Sequence, residues 1–79
     1  MCRQYEAAIS DYDAILQYHS ESTLAYHWRA RAKIELNKIE AAEQDCHIAL
    51  KLATEKNDVK MKNRIQRQLR QLTDINKQK

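Results

Sequence analysis

A chain of 79 residues that contains no glycine and no proline has few folds open to it. Tight β-turns need residues that accept positive φ or a preset φ, and glycine and proline supply most of them. Their absence favours helices joined by short connections. Ala, Leu, Glu, Lys, Gln and Arg, the strongest helix formers, fill most positions. The expected fold class is all-α, a single domain over 1–79.

Apolar residues recur three and four apart, which puts them on one face of a helix. Tyr5, Ala8, Ile9, Tyr12, Ile15 and Leu16 form the first such stripe, predicting a helix over about 3–18. Ser22 and Thr23 are the candidate N-caps of a second helix over about 23–36, which carries Leu24, Tyr26, Ala30, Ala32, Ile34 and Leu36. Asn37 is its predicted terminator, because asparagine tolerates the left-handed conformation best when glycine is absent. A third helix, about 38–56, aligns Ile39, Ala42, Cys46, Ala49, Leu50 and Ala53. Asn57 then repeats the stop and Asp58 caps a fourth helix, about 58–75, with Val59, Met61, Ile65, Leu69 and Leu72, before fraying over residues 76–79.

The first and third stripes superimpose. Ala8 and Ala42, Tyr12 and Cys46, and Leu16 and Leu50 each stand 34 residues apart. A fixed period of this length is the mark of stacked helical hairpins that bury their faces against neighbours. With Tyr26, Ala30, Ala42 and Ala49 in its aromatic and small-residue slots, the chain resembles the tetratricopeptide repeat family over nearly its whole length. Arg29 and Lys33 depart from it, standing where Leu and Tyr are usual, as do Ser20 and Thr54 at the closing proline and Cys46 at a common aromatic slot. The resemblance implies antiparallel hairpins in a right-handed solenoid: one full repeat, a preceding half repeat and a C-terminal capping helix.

That half repeat leaves the stripe of Tyr5, Ile9, Tyr12 and Leu16 without its usual partner helix. Leaving large apolar side chains in water costs roughly 1.5–3 kcal/mol each. The stripe is therefore expected to be covered either by more of a longer array or by a second copy, and self-association is the favoured reading.

Chemistry offers little to an enzymatic reading. His19, His27 and His47 stand without a Ser or Cys at a productive spacing, and Cys46 and His47, adjacent on a helix, point about 100° apart. There is no zinc-type ligand spacing and no glycine loop to cradle phosphate, so no cofactor and no metal are expected. Two cysteines, Cys2 and Cys46, make no disulfide framework. No segment has the roughly 20 apolar residues of a membrane span, and the N-terminus lacks a secretory core. The expected setting is cytoplasmic or otherwise intracellular and soluble, with no membrane partner.

The expected function is protein–protein interaction. By the resemblance, Leu24, His27, Trp28, Arg31, Ile34 and Glu35 of the second helix face a concave groove, joined by Met61, Ile65 and Leu69 of the last. Trp28 beside an arginine has the composition of a binding hot spot or of a self-association contact. Some family members clamp an acidic peptide C-terminus with Lys and Asn. Here Trp28 replaces the expected Asn and the first groove helix is lacking, so that activity is not expected. Charge supplies the rival reading: residues 1–50 carry a net −3 and residues 51–79 a net +6. Lys60, Lys62, Arg64, Arg67 and Arg70, with Lys77 and Lys79, offer contacts to acidic proteins or phosphates. They are spread around the helix with no interleaved aromatic for base stacking, so nucleic acid is not the expected partner. A purely structural fragment of a longer solenoid is the remaining alternative.

Overall fold

In the computed structural model, residues 2–77 are described, with side chains from 4 to 74. The chain forms four helices, α1 (Cys2–Tyr18), α2 (Thr23–Glu35), α3 (Ile39–Glu55) and α4 (Val59–Lys77), with no strand among the described residues. Each boundary falls within two residues of the periodicity, and α4 continues past the expected end at 75. Gln78, Lys79 and the side chains of Cys2 and Lys77 lie outside the described residues.

The connections follow from side-chain chemistry. Asn37 and Asn57 take φ of 62° and 57° and end α2 and α3 in the left-handed conformation. The amides that follow them then turn back: Lys38 N donates to Lys33 O at 2.8 Å and Asp58 N to Ala53 O at 2.9 Å, satisfying carbonyls of the last turns. Ser22 caps α2, its hydroxyl accepting from Ala25 N at 3.3 Å. The other candidate, Thr23, sits inside the helix with Oγ1 buried and no partner among the described residues. The Asp58 carboxylate accepts from Met61 N at 3.2 Å and opens α4.

Packing runs along the chain order. α2 packs on α1 and, most extensively, on α3; α3 packs on α4; and α2 touches α4 more lightly. The helices form a slab of 33 × 28 × 16 Å, about two helices thick. Its core is built of small residues: Ala30, Ala42, Cys46, Ala49 and Ala53 are wholly buried, closed by Ile39, Ile65 and Leu72. Alanines at the contact let helix axes approach to the short end of the usual 8–10 Å. No helix among the described residues is long and apolar enough to cross a membrane.

Candidate protein-binding surfaces

A polar network lies in the seam of α1, α2 and α3. Asp45 is 3% exposed and holds two cations at once. Arg29 grips it with both prongs, Nε to Oδ2 at 2.9 Å and Nη2 to Oδ1 at 2.7 Å, and Lys33 Nζ reaches Oδ2 at 2.9 Å. The third guanidinium nitrogen donates to Asp13 of α1 at 2.6 Å. These bonds to Asp45 hold the Arg29 guanidinium above its usual pKa, against the opposing effect of burial. Arg29 and Lys33, four residues apart on α2, are thus the partners of one buried carboxylate. Two cations four apart on the inner face of α2 were the available signal for a buried anion; only the polarity of Asp45 argued against placing it there.

A second buried polar chain joins α2, α3 and α4 through Gln68. Its Nε2 donates to the His27 carbonyl at 3.1 Å, so its Oε1 faces the other way. There it accepts from His27 Nδ1 at 2.8 Å and from the Cys46 thiol at 3.3 Å. In this arrangement His27 Nδ1 is the ring nitrogen that donates to Gln68. Burial, with the charges of Asp45 and Glu43 adding to it, pushes the Cys46 thiol up to about 12. At neutral pH this thiol is protonated and closed to reagents. His19 and His47 are exposed, the latter 3.7 Å from Glu43. Among the described residues no group of three or more His, Cys, Asp or Glu is arranged to hold a metal ion.

Among the surface recesses of the described residues, two are lined by expected binding residues. Between α2 and α4 lies a cleft of about 300 Å³ lined by His27, Arg31, Ile34 and Glu35 on one side and Arg64, Arg67, Gln68 and Gln71 on the other. Four of the expected groove residues meet here. The α4 side is different from the one expected: Met61 and Leu69 are half-buried against the core, and Ile65 is wholly buried in it. The polar stripe next to them faces the cleft instead, because the apolar stripe of α4 is consumed in closing the core. Leu24 is exposed but does not line the cleft.

Trp28 lines a second, shallower recess of about 190 Å³ between α1 and α2, with Tyr5, Ala8, Tyr12, Arg31 and Ala32. Arg31 stands over the Trp28 ring at 5.6 Å and so edges both recesses. Of the stripe expected to be open on α1, Ile9 and Tyr12 are half-buried and Tyr5 is exposed, whereas Leu16 is only 9% exposed and leaves the accessible surface. Its neighbour Ile15 is exposed instead.

No known protein family, curated protein or solved structure matches this chain.

Proposed function

We propose that the chain is a protein–protein interaction module of the tetratricopeptide type, which receives an acidic segment of a partner protein in the cleft between α2 and α4. The observation that carries this reading is the cleft's charge. Three guanidinium groups, Arg31, Arg64 and Arg67, border it against the one carboxylate of Glu35, with Gln68 and Gln71 between them. Arginine presents a planar fork suited to carboxylates, and Ile34 supplies an apolar wall. The nearest-neighbour packing order of the helices and the wholly buried Ala30, Ala42 and Ala49, in the slots that favour small residues, support the repeat-type reading.

The test is fluorescence anisotropy with a labelled decapeptide rich in Asp and Glu, beside a glutamine-substituted control. The acidic peptide binds with an affinity that falls as salt rises, and Arg67→Glu weakens it at least tenfold. Equal binding of the neutral control, or no binding of either, contradicts the proposal. Single-stranded oligonucleotide binding with no peptide binding transfers the cleft to the nucleic-acid reading.

A further inference from the structure

The 34-residue period places each residue of α3's inner face opposite a counterpart on α1. Ile39, Ala42, Asp45, Cys46 and Ala49 correspond to Tyr5, Ala8, Asp11, Tyr12 and Ile15. On α3 the whole set is buried, most of it in the core beneath α2. On α1 the same set is half-buried or exposed, with Tyr5 36% and Ile15 41% accessible. Asp45 is held by Arg29 and Lys33, whereas its counterpart Asp11 is exposed and forms no ion pair among the described residues.

We infer that this face of α1, together with the Trp28 recess beside it, is a docking surface for a basic amphipathic helix of a partner protein. The helix it fits carries two cations four residues apart and a small residue directly after the first, as Arg29, Ala30 and Lys33 do on α2. Its cations meet Asp11, and its small residue lets the backbone approach Ala8 as Ala30 approaches the α3 alanines. Its apolar edge fills the recess between Tyr5, Tyr12 and Trp28. The edge passing Arg31 is neutral or acidic.

Charge argues against a second copy as the occupant. Asp11 lies next to the midpoint of α1 (Cys2–Tyr18), so pairing α1 with itself in antiparallel fashion sets the two Asp11 carboxylates against each other. A basic helix with an apolar face avoids that repulsion.

The experiment titrates the full 79-residue chain with a synthetic peptide of residues 22–36, which presents Arg29 and Lys33 on a helix of the required type. Binding is read by amide and methyl NMR shifts. The expected result is a 1:1 complex with shifts at Tyr5, Ala8 and Ile15 and none at Ala42 or Ala49. Asp11→Asn weakens it about tenfold or more, and its circular dichroism stays that of the parent. A peptide with both cations changed to Glu binds the Asp11→Lys chain and not the parent. Arg67→Glu leaves this titration unchanged, which separates the surface from the α2–α4 cleft. Absence of binding, binding indifferent to Asp11→Asn, or shifts on α3 from exchange with the chain's own α2 would overturn the inference. So would a dimer in sedimentation that Ile15→Asp dissociates, because it assigns the face to a second copy.

Discussion

α1 and α3 are each 17 residues long and carry related faces 34 residues apart, yet one face is core and the other is surface. The difference is not in the helices themselves. α3 lies between α2 and α4, whereas among the described residues α1 meets α2 alone. What a residue contributes here is therefore set by the helix laid over it: the same Asp is a buried anchor at 45 and a solvated charge at 11, and the same Ala is a close-contact point at 42 and a recess floor at 8. The comparison also explains why small residues dominate α3. Under a cover, Ala and Cys let two helices approach; on the open face, Tyr5, Tyr12 and Ile15 offer the bulk that an incoming side chain can pack against.

Substitutions at corresponding positions put this comparison at risk. The largest effect is expected for Asp45→Ala, which leaves Arg29 and Lys33 partly buried without their anion, at a cost of about 3–5 kcal/mol. A domain of this size rarely has more than about 3–5 kcal/mol to lose, so the variant is largely unfolded by circular dichroism. Asp11→Ala stays within about 0.5 kcal/mol of the parent in urea denaturation. Equal costs at the two sites would break the comparison.

The next contrast is alkaline. The Cys46 pKa is raised from 9.0 to about 12, so the folded state holds the thiol proton more tightly than the unfolded chain does. The resulting stability is complete below about pH 9 and is lost as pH climbs from there towards 12. Cys46→Ala removes this component of the alkaline loss, which comparing the two urea midpoints across pH 8–11 would detect. An identical pH profile for the variant would show that the thiol is not held by the core.

Enlarging the paired alanines sharpens the picture further. Ala42→Leu overfills a closed contact and costs about 1–3 kcal/mol. Ala8→Leu, at the open recess, has a near-zero effect on the urea midpoint, and a similar penalty at both sites would mean that the recess is not open.

Much of this was legible beforehand, for identifiable reasons. With no glycine in the chain, Asn37 and Asn57 were the residues best suited to left-handed helix ends, and both adopt that conformation. The three-and-four spacing marked each helix within two residues. The buried polar side chains were not legible in the same way. Asp45 and Gln68 interrupt the apolar stripes and so read as surface, and only their partners, Arg29 with Lys33 and His27 with Cys46, make their burial affordable. The α4 wall of the cleft differs for another reason: the resemblance put Ile65 in a groove, whereas its apolar side chain is taken up in closing the core.

The smallest expected effects come from the helix ends, which both halves of the comparison share. Ser22→Ala removes the α2 cap and costs about 1 kcal/mol. Thr23→Val removes a buried hydroxyl that has no partner among the described residues, and is neutral or mildly stabilising in urea denaturation. A clear loss for Thr23→Val would reveal a bond to that hydroxyl.

Residue-resolved native-state hydrogen exchange on the full chain tests the central claim most directly, because it reports how firmly each helix is held. Uneven cover predicts that amides of residues 43–55 in α3 exchange only through opening close to global unfolding. Those of residues 6–18 in α1 exchange through lower-energy local opening, with protection at least tenfold smaller. Equal protection along the two helices would contradict the account, since it would mean that α1 is held as firmly as α3 without the second neighbour that α3 has.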